Sequence, residues 1–193
     1  MSARAKGRTN QSGKRRTPGR HASRRRIPWI PIVLVLGALV AGFFIVRSLE
    51  IGAPGERRPA SGVGQHVPEG QPVVYDSAPP VGGPHWPGPA GWGVSVTAVP
   101  DERAVHNLEH GGIVISHNGM SAEDLAKLSA LLTSYPRDRY GEVKVLVRPY
   151  DKIAPGTLTL TAWGWIETAR GYDEGTVRAF LDAHLNKCCE SVP

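Results

Sequence analysis

Hydrophobic residues are distributed unevenly along this chain, with one uninterrupted apolar run near the N-terminus and short patterned segments after it. The run covers residues 27–46, twenty positions without a charged side chain. At about 1.5 Å of rise per residue, a helix of this length matches the roughly 30 Å hydrocarbon core of a bilayer. It also lacks the polar face that a soluble helix of this length normally has. The pattern therefore predicts one N-terminal transmembrane helix.

The charge distribution indicates how this helix is oriented. Residues 1–26 contain ten Lys or Arg and no Asp or Glu, so this arm has a formal charge of +10. The whole chain has a formal net charge of +6, so the remaining residues together carry −4. By the positive-inside bias, the arm is predicted to be cytoplasmic and the rest extracytoplasmic, in a single-pass protein of the cell membrane. We expect the arm to be disordered and to act as a topology signal rather than to bind nucleic acid. A cleaved signal peptide is the alternative, but its apolar region would span only about 7–15 residues.

Residues 47–70 are rich in Gly, Pro and Ser and predict a flexible linker after the membrane helix. The extracytoplasmic domain is then predicted to cover residues 71–193. It begins with a loop, 75–94, whose density of proline excludes both a helix and an interior strand. Trp86 and Trp92 favour an ordered loop, because leaving their apolar surface in water would cost about 25 cal/mol per Å².

Regular patterns follow the loop. A proline and two acidic residues open a predicted helix at residues 101–110, which ends where two glycines begin. The run at residues 112–116, "GIVIS", predicts a short buried strand. Ser121 and Asp124 resemble a capping box and predict a second helix, whose apolar stripe ends before a proline.

Two alternating segments and a last helix complete the pattern. Residues 142–150 place valines on one face and Lys144 and Arg148 on the other, which predicts a half-exposed strand. Residues 157–167 also alternate and predict another strand, and residues 174–186 predict the final helix. The fold class that follows is α+β, an α/β-like sandwich with a small mixed sheet and a β-α-β-β-α core, behind one N-terminal transmembrane helix.

The stretch "VHNLEHGG" contains the candidate chemistry. On a helix, His106 and His110 lie four residues apart and project from one face, so one metal ion can contact both. His85 in the loop could supply a third nitrogen, and Glu109 or His117 lies close in sequence. The predicted metal ligands are His85, His106, Glu109 and His110. Such a nitrogen-rich set suits copper or zinc. The alternative is structural, since donors at the C-terminal end of a helix pair favourably with its free carbonyls.

The same stretch matches His-x-x-Glu-His, the motif of the inverzincin peptidases, in which Glu109 would act as the base. A further zinc ligand would then be Glu167, Glu174 or Glu190. The predicted helix ends directly after the motif, and the domain is small for such an enzyme. A zinc hydrolase is therefore the least favoured alternative, and the sequence favours a protein that is not an enzyme.

The two cysteines, Cys188 and Cys189, are neighbours near the C-terminus. The chain has no Cys-x-x-Cys motif, so redox chemistry of the thioredoxin type is not predicted. The pair could form a strained vicinal disulfide, join two chains, stay reduced or belong to a metal site.

Four blocks of sequence, "PPVGGPHWP", "WGV", "VPDERAVHNLEHGGIVI" and "LTAWGW", together resemble the bacterial domain of unknown function 3105 family. The resemblance covers about residues 77–184, and members of this family often follow a single membrane helix. It implies that motif positions of the family are occupied here by His85, His106, Glu109 and His110. It implies no activity.

Two classes of function remain. The first is a membrane-tethered extracytoplasmic domain that binds copper or zinc for sensing, storage or handling. The second is an envelope module that binds a protein partner through the loop containing Trp86 and Trp92, with structural histidines. We expect no nucleotide or organic cofactor and no nucleic-acid partner, and the sequence leaves the oligomeric state open.

Overall fold

The structure is a computed structural model that describes residue 31 and residues 33–42 and 53–190. The chain divides into two compact units, Met1–Val46 and Arg47–Pro193.

In the first unit, residues 33–42 are helical. Among the described residues, no helix combines the length and the apolar character needed to cross a bilayer. The predicted membrane helix at 27–46 extends outside the described residues on both sides, and the predicted basic arm at 1–26 lies wholly outside them. Both stay predictions.

The second unit is built on a mixed sheet with helices on both sides. The strands are β1 (Glu56–Arg57), β2 (Gly93–Val94), β3 (Ile113–His117), β4 (Val145–Pro149), β5 (Thr157–Ala162) and β6 (Trp165–Arg170), and the helices are α1 (Asp101–Glu109), α2 (Ala122–Thr133) and α3 (Glu174–His184). Within residues 53–190 the strands form one six-stranded sheet in the order β1-β6-β5-β3-β4-β2. β4 is parallel to β3 and β2, and the other pairs are antiparallel. The predicted α+β class with a mixed sheet is confirmed.

Two apolar layers join the helices to the sheet. On one face, α2 and α3 pack against the sheet through buried side chains that include Leu128 and Phe180. On the other face, α1 packs through Leu108 against Val114 of β3 and Leu146 of β4. Successive strand residues alternate between the two layers, as the pleat of a strand requires. The sheet therefore holds α1 and the loop before it on one side.

The helix boundaries agree closely with the sequence pattern. α1 begins at Asp101, as predicted, and ends one residue before the predicted end. At the start of α2, the hydroxyl oxygen of Ser121 accepts a hydrogen bond from the backbone N–H of Asp124 at 3.0 Å. This bond confirms the predicted N-terminal cap.

Both faces of β4 are buried, so the prediction of a half-exposed strand was wrong. Lys144 and Arg148 are only 2% and 0% exposed. Helix α1 covers this face, and there the Arg148 guanidinium donates to the carboxylate of Asp101 at 2.7 Å and to the carbonyl of Val99 at 2.7 Å. The alternation indicated the correct period, but the partner that covers the charged face lies 47 positions away in sequence.

The segment predicted as one strand at residues 157–167 is a hairpin. β5 ends at Ala162 and β6 begins at Trp165, and Gly164 in the connection has a φ of 76°. Two-residue hairpin turns commonly need such a positive φ, which glycine adopts without strain. The core is therefore β-α-β-β-β-α, one strand longer than the predicted β-α-β-β-α.

Residues from Glu56 to Gly70, predicted as part of the flexible linker at 47–70, instead pack on the domain. β1 pairs with β6, and the backbone at Gly62 lies so close to Gly83 that an added Cβ would be 2.6 Å from its carbonyl carbon. Further along, His66 pairs with His85 in an isolated parallel bridge. Here glycine allows close backbone contact, although in composition alone it resembles a linker residue.

Asp101 is the centre of a partly buried ionic network at the start of α1. Its carboxylate accepts hydrogen bonds from Arg148, Tyr150 and Lys152 at 2.7, 3.0 and 2.9 Å. Burial alone would raise the pKa of this carboxyl, but the charges of Arg148 and Lys152 outweigh it and lower the pKa below its ordinary value.

We expect Asp101→Asn to lower the free energy of unfolding by about 3 kcal/mol, because it leaves the buried Arg148 guanidinium without its counter-ion. A lowered carboxyl pKa stabilises the fold above the ordinary value of 3.8, and this contribution is lost as pH falls through the folded value. The unchanged protein should therefore lose more stability below about pH 4 than the variant does. Urea unfolding across this range measures both effects, with the exposed Asp151→Asn as control. Equal acid sensitivity of the two proteins would contradict the prediction.

Candidate metal centre

Helix α1 brings the Pro-rich loop onto the domain through one buried amide. Asn107 is 0% exposed, and its side chain accepts from the N–H of Ala90 at 2.8 Å and donates to the carbonyl of Ala90 at 2.9 Å. The next residue, Leu108, lies in the core layer between α1 and the sheet. The two bonds of Asn107 hold the loop beside α1, and His85 is carried by the same loop.

The two glycines after α1 are needed for close packing. Gly111 has a φ of 75°, and a Cβ on it would lie 2.9 Å from the carbonyl oxygen of Cys188. A Cβ on Gly112 would lie 2.5 Å from the Trp92 ring and 2.6 Å from the carbonyl oxygen of Asn107. These contacts fix the place where α1 ends and leave Glu109 in its last turn.

His85 is buried and its ring orientation is fixed. The residue is 0% exposed, and its Nδ1 lies 2.8 Å from the carbonyl oxygen of Gly83. Because a carbonyl only accepts, Nδ1 carries the proton of that bond. The other nitrogen, Nε2, lies 2.9 Å from Oε2 of Glu109. Beside this carboxylate, Nε2 can donate a proton of its own or direct its lone pair at a cation that both groups bind.

His106 repeats this arrangement from the helix. Its Nδ1 donates to the carbonyl of Trp86 at 2.7 Å, which leaves Nε2 as the nitrogen with a lone pair. Histidines that bind metals commonly donate the other ring N–H to a carbonyl in this way, which fixes the tautomer and the ring orientation. Two histidines of the cluster thus have the secondary contacts of metal ligands.

Glu109 lies between the histidines, with only 1% of its side chain exposed. Its Oε1 accepts from the backbone N–H of Gly64, and its Oε2 faces His85 at 2.9 Å and His66 at 3.6 Å. Among the described residues, its ion-pair partners are both histidines. The carboxylate therefore lies where a bound cation would be stabilised.

His66 completes the group from the segment before the loop. Its ring stacks on His106 with centroids 5.1 Å apart and meets His85 edge-on at 4.9 Å. One ligand atom from each of His66, His85, His106 and Glu109 lies within 4.8 Å of all the others. No periodic signal in the sequence marked His66, because it lies outside the named helices and strands.

These four side chains are close enough together to hold one first-row transition-metal ion. Ligands at about 2.0–2.1 Å from a tetrahedral ion lie roughly 3.3 Å from one another. The contact between Nε2 of His85 and Oε2 of Glu109 is shorter than this, at 2.9 Å, and the four ligand atoms lie within 4.8 Å of one another, so small side-chain rotations in both senses would be needed. The set of three nitrogens and one carboxylate oxygen matches the preferences of zinc and copper.

Comparison with protein families agrees with the sequence resemblance. The family model described as "Protein of unknown function (DUF3105)" matches residues 66–191. The chain belongs to this family. All four residues of the cluster lie inside the matched range, and His66 is its first residue. No curated protein and no solved structure gives a significant match.

Burial in the DUF3105 domain favours the forms of these side chains that bind metal. Desolvation lowers the pKa of His106 despite its bond to the Trp86 carbonyl, so the neutral imidazole predominates at neutral pH. For Glu109, burial would raise the pKa, but the Gly64 N–H and the neighbouring His85 outweigh it and the pKa is lowered. Metal ligands must be deprotonated to bind, so both groups are prepared at neutral pH.

His110 does not join the four-residue cluster of the DUF3105 domain. Its Nε2 lies 2.9 Å from Nε2 of His106, and its carbonyl accepts from Lys144. The cluster among the described residues pairs His106 with His66, His85 and Glu109 instead. Of the four predicted ligands, three therefore converge, and His110 contacts one of them.

The other candidates from the sequence lie elsewhere. Within the described residues, the metal cluster includes none of Glu167, Glu174 and Glu190. His117, at the end of β3, lines a separate cavity of about 500 Å³ together with Asp101 and Tyr150. The His-x-x-Glu-His motif thus does not form the zinc site that an inverzincin would need.

Cys188 and Cys189 form a disulfide with each other, which is one of the alternatives left open by the sequence. Thiolate ligands are therefore absent from the oxidised domain. The tryptophans also separate: Trp92 packs at the edge of the α1 layer, whereas Trp86 lies under Arg103 and donates its indole N–H to the carbonyl of Gln71 at 2.8 Å. Both pack on the domain itself.

We expect Gly112→Ala to lower stability by about 1–3 kcal/mol, because its Cβ would overlap the Trp92 ring and displace the loop. Thermal unfolding and the near-ultraviolet circular dichroism of tryptophan would detect the change. Gly91→Ala is the matched control, since a Cβ at Gly91 has no atom within 4 Å among the described residues. Equal effects of the two substitutions would contradict the packing argument.

Proposed function

We propose that this protein binds one transition-metal ion, Zn²⁺ or Cu²⁺, in an extracytoplasmic domain anchored to the membrane by residues 27–46. The proposed ligands are His66, His85, His106 and Glu109. The observation that carries the proposal is the convergence of two carbonyl-bonded histidines on a buried carboxylate, with a third histidine at the entrance.

Electrostatics supports a bound cation at this place. Glu109 is buried without a lysine or arginine as ion-pair partner among the described residues, and its Oε2 faces two imidazoles. Burying a charge is unfavourable unless it is paired. A divalent ion would neutralise the carboxylate and would bind the lone pair of each histidine. One ion therefore satisfies three nitrogens and one oxygen together.

The membrane anchor is supported by the sequence of residues 27–46 and by the ten cations before it. In this arrangement the domain faces the extracytoplasmic side, where ions arrive before they cross the membrane. Sensing, storage and handling of a metal all follow from such a position.

The alternative of an envelope interaction module has weaker support. Its proposed contact residues, Trp86 and Trp92, already pack on Arg103 and on the α1 layer. Hydrolysis is also less favoured, because catalytic zinc sites usually keep one position open for water. Here four side chains are close enough to fill a tetrahedral ion.

The deciding measurement is the metal content of the full-length chain after exposure to Zn²⁺ or Cu²⁺ and desalting, by mass spectrometry. The chain would be purified in detergent without a histidine tag. We expect about one ion per chain, and loss of most of the ion in His85→Ala, His106→Ala and Glu109→Gln, because removal of even an outer-shell partner costs about 10–100-fold in metal affinity.

Two other histidines serve as controls. His117→Asn removes a similarly buried histidine outside the cluster and should keep the ion. His110→Ala should also keep it, because the four ligands lie within reach of one another without His110. Loss of metal in His110→Ala with retention in His85→Ala would place the ion at the helix pair instead. Absence of metal from the folded wild-type chain would refute the proposed function.

A further inference from the structure

The four residues of the cluster differ sharply in exposure. The side chain of His66 is 43% exposed, whereas those of His85 and Glu109 are 0% and 1% exposed. His106 is also buried. Solvent therefore reaches the cluster on the side of His66, and the other three ligands form its buried wall.

The same four residues differ in how their side chains are held in place. His85 and His106 each donate Nδ1–H to a backbone carbonyl, and Glu109 accepts from the N–H of Gly64. Among the described residues, the ring of His66 has no hydrogen bond of normal length. Its Nε2 lies 3.6 Å from Oε2 of Glu109. Three of the side chains are thus oriented by hydrogen bonds to the backbone, whereas the ring of His66 is held only by its contacts with the other two rings.

The backbone beside His66, unlike its ring, is fixed by hydrogen bonds. The N–H of Val67 donates to the carbonyl of His85 at 2.8 Å, and the N–H of His85 donates to the carbonyl of Gln65 at 3.1 Å. These two bonds hold the Cα of His66 beside the cluster. Rotation about its side-chain bonds therefore moves the ring toward or away from the ion while the chain stays in place.

We propose that His66 is the exchangeable ligand of this site, through which the ion is passed to and from another molecule. The inference rests on the metal-binding function proposed above. During transfer, the bond from the ion to His66 breaks and a bond to an imidazole, thiolate or carboxylate of the donor or acceptor forms. The ion keeps its oxidation state and stays bound to the three buried ligands until the new bond is made.

This arrangement distinguishes a transfer site from a structural one. A structural zinc site is closed by four protein ligands and contributes directly to folding. Here, loss of His66 leaves three oriented ligands that still bind, whereas loss of a buried ligand disrupts the wall. The expected signature is a change in the rate of ion exchange without loss of stoichiometry.

The test uses the full-length chain in detergent, loaded with one Zn²⁺ and mixed with an excess of the chromogenic chelator 4-(2-pyridylazo)resorcinol. In the wild-type chain, the rate of zinc transfer should rise with chelator concentration, because the chelator replaces His66. In His66→Ala and His66→Asn, zinc should be retained at about one per chain but transferred at least about tenfold faster. Added imidazole should slow the transfer again by filling the position of the missing ring.

Each other outcome has a definite meaning. Loss of zinc from both His66 variants, as complete as in His85→Ala, would show four equivalent ligands and overturn the inference. Transfer at the wild-type rate in the His66 variants would show that His66 is not a ligand, with the same result. A wild-type chain that holds no zinc and no copper would overturn the proposed function and this inference with it. Circular dichroism of each variant verifies that it is folded.

Discussion

A buried carboxylate at the C-terminal end of a helix is the constraint on which this domain depends. Glu109 lies in the last turn of α1, where the helix dipole is negative, and its side chain is almost fully buried. Both conditions disfavour an anion. The protein compensates by bringing a backbone N–H from Gly64 and the rings of His66 and His85 to the two carboxylate oxygens. The loop and the segment before it are therefore placed by the needs of one side chain.

The remaining architecture supports that arrangement. The sheet holds α1 by the Leu108 layer and by the ion pair between Arg148 and Asp101, which fixes the opposite end of the helix. Asn107 then joins the loop to the helix next to the histidine and glutamate cluster. Both ends of α1 are thus attached to different parts of the chain, so a rigid element sets the spacing of His106 and Glu109.

Sequence reasoning located most of the elements because their patterns are local. The cap at Ser121 and the acidic start at Asp101 depend on neighbours within one turn. Burial of Arg148 depends on a carboxylate 47 positions away, and the alternating pattern of β4 carries no information about it. The turn at Gly164 was missed because the apolar alternation continues through it.

The same reasoning explains which parts of the site could be predicted. His106 and Glu109 lie close together on one helix, so their proximity follows from helical geometry. His110 shares that face, but α1 has ended at Glu109, and His110 meets His106 rather than the carboxylate. His66 could not be predicted, since its position depends on a backbone bridge with His85 and its segment has the composition of a linker.

The disulfide of this domain joins neighbouring residues and so holds no distant segments together. A bridge between Cys188 and Cys189 encloses no intervening chain, so it scarcely limits the unfolded ensemble. The cluster, by contrast, gathers segments 24 and 45 positions apart around Glu109. A metal ion there would act as the long-range cross-link that the cysteines do not provide. Resistance of the folded domain to proteolysis would then depend on the bound metal.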